Sequence, residues 1–256
     1  MDNSGFLYSV DNHVARMTIN RESKRNAITP DTITNFLTAL EDAKKSDDVR
    51  VICLTGAGEK VFCAGADLSK TMNKDNTAIF KNYAKLISTL ATFPKPTVAR
   101  VNGHCLAGGI GLMLGCDIVI TKQSATFSTP EVNVGLFPMM IGALIFQNVP
   151  RKKAMEMILL GKKMSAAKAM EIGLVTRIVP EKNFDAQVES VLTALCQKSP
   201  LGIELGKQAF AKAEDMPLED AVQMLAGKLE EVAATQDAKE GIAAFLEKRQ
   251  PIFSGK

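Results

Sequence analysis

The sequence is poor in the residues that most often carry chemistry. Its 256 residues include no tryptophan and only two histidines, His13 and His104. A three-histidine metal site is therefore excluded, and no metal centre is expected. The five cysteines (Cys53, Cys63, Cys105, Cys116 and Cys196) are odd in number and form no C-x-x-C pair. Their neighbours are mostly apolar, which suits reduced, buried thiols in a cytosolic protein rather than a disulfide framework or a zinc knuckle. Charge of one sign is scarce too: 31 basic against 28 acidic residues leave a formal net charge of +3. That is no nucleic-acid footprint, but it is compatible with a modestly basic site for an anionic small ligand. The longest apolar stretch, Leu106–Ile120, is too short to span a bilayer and holds four glycines and Asp117. The opening Met-Asp-Asn-Ser-Gly has neither a basic stretch nor a following apolar run, so no secretion signal and a cytoplasmic location are expected.

What is present is an ordinary globular composition, 46% hydrophobic and 23% charged. The length suits one large domain, or one domain with a smaller appendage, and a core that needs no covalent staple. Val14–Ile19 alternates as a strand does and ends in a turn at Asn20-Arg21-Glu22-Ser23. Thr29-Pro30-Asp31 then opens a helix, with Thr as N-cap and Pro in the first position. Ile33, Phe36, Leu37 and Leu40 fall on one helical face. The apolar runs Val49–Thr55, Val98–Val101 and Ile118–Thr121 read as strands buried on both faces. This alternation predicts an α/β architecture with largely parallel strands. Beyond about Ala186 only helical patterns follow: Val188–Cys196, Pro200–Ala213, Leu218–Ala234 and Asp237–Lys248. The chain is therefore expected to divide into a body, 1–196, and a helical region, 197–256, whose apolar faces (Met224, Leu225, Leu229, Val232) either pack on the body or serve association.

Three segments are candidates for chemistry. Phe62-Cys63-Ala64-Gly65-Ala66-Asp67-Leu68 follows a buried strand, and its small residues let a ligand approach the backbone. Asn102-Gly103-His104-Cys105-Leu106-Ala107-Gly108-Gly109-Ile110-Gly111 follows the strand Val98–Val101 and runs into an apolar helix, Leu112–Cys116. Glycines at such a turn leave unpaired amides at a helix N-terminus, where negative charge is favoured. One free N–H from each loop would make an oxyanion hole; close helix packing is the plainer use of the same glycines. The run is neither a dinucleotide fingerprint nor a phosphate-cradling P-loop. The third candidate is Glu131, placed between Pro130 and the uncharged stretch Val132–Ile145. A carboxylate among such residues is desolvated and made more basic, whereas a cap or surface glutamate is the alternative.

Taken together and in this order, these segments resemble the enoyl-CoA hydratase/isomerase (crotonase) family. Asn20-Arg21-Glu22-Ser23-Lys24-Arg25-Asn26-Ala27 is similar to its early N-x-P-x-x-x-N-A turn, with Glu22 where proline is usual. Phe62–Leu68 is similar to its F-C/A-A-G-x-D-L loop, and Asn102–Gly109 to its N-G-x-x-x-G-G-G turn, with Ala107 for the first glycine. Glu240–Arg249 resembles its C-terminal E-G-x-x-A-F-x-E-K-R signature. The resemblance implies a spiral of β-β-α turns with a helical C-terminal trimerisation region, assembled as a homotrimer or a dimer of trimers. It implies an acyl-CoA thioester as substrate and no separate cofactor. The thioester carbonyl would lie between the amides of Ala66 and Gly108, with Glu131 as acid/base. The CoA arm would run past Lys24, Arg25 and Ala64, Ala66, Asp67 and Leu68, and Phe245 and Lys248 would approach the CoA of a neighbouring subunit.

The sequence also departs from the pattern. Family hydratases use two glutamates to hold one water; the second matches Glu131, but the first falls on Gly111, which has no side chain. Hydration is favoured by family frequency, and single-carboxylate isomerisation of a 3-enoyl-CoA to a 2-enoyl-CoA by this loss. A catalytically silent acyl-CoA-binding relative is a further alternative. Where some relatives place an aspartate the chain has Met139, expected as part of an apolar wall around Glu131. A hydrolase built on His104, Asp117 and a serine is disfavoured, because no serine stands in a nucleophile-elbow context. The polar segment Thr71–Thr77 is expected to be a lid, and the acyl group is left open.

Overall fold

The computed structural model describes residues 5–67 and 77–256. The first two strands, β1 (Phe6–Asp11) and β2 (Val14–Ile19), form a hairpin whose turn residues Asn12 and His13 both have positive φ. The rest of this sheet is parallel: β2 pairs with β3 (Val51–Gly56), β3 with β5 (Thr97–Val101), β5 with β7 (Ile118–Lys122) and β7 with β10 (Arg177–Val179). A second sheet consists of short strands in the order β4 (Val61–Cys63), β6 (His104–Leu106), β8 (Thr126–Ser128) and β9 (Met164–Ser165), the last pair antiparallel. The chain therefore winds as a spiral. Each turn contributes one strand to the first sheet, one to the second, and then a helical segment.

The three continuous apolar runs are strands because both faces of the first sheet are covered. On one face Ala15, Met17, Ile52, Leu54 and Ala99 pack with Phe36 and Leu40 of α1 (Pro30–Lys45) and with Leu86 and Leu90 of α2 (Thr77–Ala91). On the other, Val14, Val51, Cys53, Val98 and Ile120 pack against Phe184, Val188 and Leu192. Strands covered on both sides cannot alternate with polar residues. Helix α1 opens as its cap predicts: the Thr29 hydroxyl accepts the Thr32 N–H at 3.2 Å, and Pro30 is the first helical residue. The short strands of the second sheet left no periodic signal, since three residues cannot show one.

The second turn of the spiral leads into α3 (Gly108–Leu114). This helix begins four residues earlier than the apolar pattern suggests, so Gly108 is its first residue. The third turn leads through a 3₁₀ segment, Pro130–Val134, to α4 (Met139–Asn148) and α5 (Arg151–Leu160). After α6 (Ala166–Glu171) and β10 only helices follow: α7 (Phe184–Cys196), α8 (Pro200–Ala213), α9 (Leu218–Ala234) and α10 (Gln236–Leu246).

Two buried asparagines tie the turns together. Asn26 Nδ2 donates to Ala57 O at 2.9 Å and to Val61 O at 2.7 Å, while its Oδ1 accepts from Arg21 N at 3.1 Å. Asn102 Nδ2 donates to Gly56 O at 2.9 Å and to Gly58 O at 2.6 Å. Both side chains therefore satisfy the backbone of the Gly56-Ala57-Gly58 turn that carries the chain from β3 to β4. Each is fully buried, so each lost partner costs a desolvated polar group. Replacing Asn26 by alanine strips partners from two carbonyls and one amide. Asn26→Ala should lose about 2–4 kcal/mol of stability; an unchanged urea midpoint would show that the knot does not hold the turn.

Candidate active site

The first wall of the site is the loop after β4. Ile28 forms an isolated parallel bridge with Ala66: Ile28 N donates to Gly65 O at 2.8 Å, and Asp67 N to Ile28 O at 2.9 Å. The amide between these, Ala66 N–H, has no hydrogen-bond partner among the described residues, and Ala66 is exposed. Ala64 N donates to Arg25 O at 3.1 Å, which sets the exposed Lys24 and Arg25 at the edge of the same loop. Arg21 fastens the assembly, donating to Ala27 O at 2.5 Å and to Asp67 Oδ2 at 3.0 Å. Both partners of this ion pair are largely buried. The Asp67 carboxylate, expected beside CoA, is thus engaged in holding the loop. Sequence reasoning placed Arg21 only in a turn.

The second wall is the start of α3. Ala107 N donates to Ser128 O at 3.0 Å and Ile110 N to Ala107 O at 2.9 Å, while Gly108 N–H has no partner among the described residues. An unsatisfied amide is normal in a first helical turn. Ala107 is at φ 49°, ψ −128°, where glycine is at home, a conformation that costs an alanine on the order of 1–3 kcal/mol. The two walls meet without a side chain between them. Gly65 has φ +88°, and a Cβ built on it would lie 2.7 Å from Ala107 Cβ and 3.1 Å from Gly108 N. The structure therefore brings Ala66 and Gly108 into neighbouring backbone, each with a free N–H. The Gly108 carbonyl accepts a hydrogen bond from the buried Tyr83 hydroxyl on α2.

Glu131 stands in the 3₁₀ segment Pro130–Val134, which follows β8 directly. Its Oε2 is buried and has no hydrogen-bond partner among the described residues. Burial pushes this carboxyl above its ordinary value, and a bond from its own backbone N–H only partly opposes the rise. Gly111, one helical turn into α3, is closed off. A Cβ there would overlap Ile141 Cγ2 and lie 2.7 Å from the Tyr83 oxygen. No other carboxylate takes its place in α3, whose residues are all apolar. The apolar wall predicted at Met139 is not there: that residue is 74% exposed at the start of α4, and Ile141, two residues on, is buried instead. The first turn of a helix points successive side chains in different directions, and Met139 faces out.

His104 bonds through Nδ1 to Thr126 Oγ1 at 2.9 Å, whereas Asp117 is held by Thr97 and Lys207, so the two form no relay. The thiols of Cys63 and Cys105 are fully buried; desolvation pushes Cys63 up to about 12 and leaves both protonated and inert. Among the described residues no cluster suits a metal ion. Phe245 and Lys248 are exposed at the end of α10, Phe245 by 82%. Leu68 lies outside the described residues, as does the expected lid except for Thr77.

A family model for enoyl-CoA hydratase/isomerase matches residues 9–256. The chain is 33% identical to the (E)-benzylidenesuccinyl-CoA hydratase of Thauera aromatica, over 96% of this chain and 97% of that one. It is 31% identical to the 2,3-dehydroadipyl-CoA hydratase of Escherichia coli, over 99% and 100%. Among solved structures, an enoyl-CoA hydratase from Bacillus anthracis superposes with a TM-score of 0.94 at 30% identity, covering 98% of this chain and all of that one.

An unpartnered, buried carboxylate is a liability to the fold. Because burial raises the pKa of Glu131, the folded state binds its proton more tightly than the unfolded state does. The stability this proton provides is present at low pH and is lost as pH rises above the ordinary carboxylate value of 4.5. Glu131→Gln should therefore melt higher than the parent near neutral pH, and the gap should close below 4.5. Equal melting temperatures at neutral pH would show that the carboxylate is well solvated.

Proposed function

The chain belongs to the enoyl-CoA hydratase/isomerase family, and from that premise we propose that it adds water across the C2–C3 double bond of an enoyl-CoA, with the Ala66 and Gly108 amides as its oxyanion hole and Glu131 as its single acid/base. The observation that carries this reading is the buried Oε2 of Glu131, left without a partner among the described residues. A folded protein keeps such an atom only at a cost of roughly 1–3 kcal/mol, which function can justify. In the reaction Glu131 takes a proton from water as the water oxygen bonds to C3. The C2–C3 π electrons move onto the thioester oxygen, forming an enolate. The two backbone N–H groups stabilise that charge, each worth about 2.7–4 kcal/mol by comparison with other such holes. The carbonyl then re-forms as C2 takes the proton back from Glu131.

A second reading rests on one specific observation, the closure of Gly111 by Ile141 and Tyr83. With one carboxylate, the same site removes a C2 proton from a 3-enoyl-CoA and returns it at C4, giving the 2-enoyl-CoA. A silent acyl-CoA binder would keep the loops and lose the turnover. In each case CoA is part of the substrate, and no further cofactor is needed. Lys24, Arg25 and Ala64 offer cations and an open backbone to the CoA arm, to which Leu68 belongs by resemblance.

The helical end supports the association reading. Ala209 of α8, Ala221 of α9, and Asp237 and Ala244 of α10 are buried, while Leu218, Val222, Leu229, Ile242, Phe245 and Leu246 are exposed. A homotrimer, or a dimer of trimers, would cover this surface and bring Phe245 and Lys248 to a neighbour's CoA. Among the described residues no helix is long and apolar enough to cross a membrane, and the buried thiols suit the reducing cytosol.

Purified protein offered crotonyl-CoA is expected to hydrate it. Glu131→Gln should lower turnover on the order of 10²–10⁴-fold with little change in binding. Turnover of a 3-enoyl-CoA alone would select isomerisation. The mechanism is wrong if neither substrate reacts or if Glu131→Gln remains fully active.

A further inference from the structure

We propose that the Tyr83 hydroxyl oxygen holds the water that Glu131 activates, standing where the first glutamate of family hydratases would extend from position 111. This rests on the hydration reading above and supplies what that reading lacks, a second acceptor for the water. Three observations converge on it. The Tyr83 oxygen lies 2.7 Å from the point where a side chain at Gly111 would begin. It therefore crowds the space into which a side chain at position 111 would extend, as Ile141 Cγ2 also does. Next, the hydroxyl has one proton, and that proton is committed to Gly108 O. What the oxygen can still offer is a lone pair, so to a bound water it would be an acceptor. Finally, Glu131 is among the groups that raise the ionisation of the phenol, after burial and the thiols of Cys63 and Cys105.

The chemistry needs no more than this. A water with one proton on the free Oε2 of Glu131 and the other on Tyr83 keeps an oxygen lone pair for C3. Glu131 takes its proton during attack; the proton facing Tyr83 stays on the new hydroxyl. Tyr83 neither gains nor loses a proton, in keeping with its burial, which pushes its ionisation well above the ordinary value. It holds water as a neutral acceptor, while its own proton rests on the Gly108 carbonyl.

The two roles separate experimentally. Exchange of the C2 protons of butyryl-CoA with D₂O needs Glu131 and the hole but no bound water, whereas hydration of crotonyl-CoA needs all three. Tyr83→Phe should lower kcat for hydration on the order of 10- to 100-fold, the worth of one hydrogen bond to a reacting group. KM and the exchange rate should change by less than about threefold. A parallel loss of hydration and exchange would reduce Tyr83 to a support for Gly108, and unchanged hydration would remove it from the reaction; either result overturns the proposal. Should Tyr83→Phe not fold, the only tyrosines, Tyr8 and Tyr83, can both be replaced biosynthetically by 3-fluorotyrosine. Fluorine weakens the oxygen as acceptor and strengthens it as donor. Hydration should then fall with exchange maintained, and an increase in both would contradict the acceptor role. A parent protein that exchanges but does not hydrate sinks this proposal and leaves the enolate chemistry standing. One that does neither sinks both.

Discussion

The approach of Gly65 to Gly108 governs the arrangement of the site, because two free amides can flank one oxygen only if their backbones nearly touch. A side chain on Gly65 would strike both Ala107 Cβ and Gly108 N. Everything around this contact serves to hold it. The β4 and β6 strands run side by side immediately before it, and Ile28 grips Gly65 and Asp67 from the other side. Arg21 pins Asp67, and Asn26 and Asn102 hold the turn from which β4 departs. A spiral fold suits the task, since each turn delivers a loop to the same edge of the second sheet.

The same region carries costs that the rest of the fold offsets. Ala107 keeps a backbone conformation that alanine disfavours, and Glu131 keeps a buried oxygen without a partner among the described residues. In the proposed reaction both border the forming enolate. The large two-sided core of the first sheet supplies the stability that such features consume. In the proposed reaction charge stabilisation falls to backbone amides, and proton transfer to one carboxylate. This is how a chain with two histidines and inert thiols can host acid–base chemistry.

Much of the fold was legible because its signals are local. Val14–Ile19 alternates, Thr29-Pro30 caps a helix, and the apolar runs that became β3, β5 and β7 differ from the observed strands by only one or two residues at their ends. The three-residue strands β4, β6 and β8 were not legible, since their pairing partners lie far along the chain. Glu131 was legible as the one charge bordering a long uncharged stretch. Arg21 and Tyr83 were not, because each acts through a contact 46 or 25 residues away. The available hint was Tyr83 itself, a hydroxyl on the core-facing side of an otherwise apolar helix face with Ile79, Leu86, Ile87 and Leu90. Met139 misled for the opposite reason: an apolar residue in an apolar stretch need not face inward at a helix start.

The central claim is that one desolvated carboxylate, Glu131, moves protons at the carbon next to a thioester held by two backbone amides. Its most direct measurement is the pH dependence of deuterium uptake at C2 of a saturated acyl-CoA in D₂O. The expected profile rises through a single limb centred above the ordinary glutamate value of 4.5, and exchange is lost in Glu131→Gln. Exchange that persists in Glu131→Gln, or a limb at or below 4.5, would contradict it.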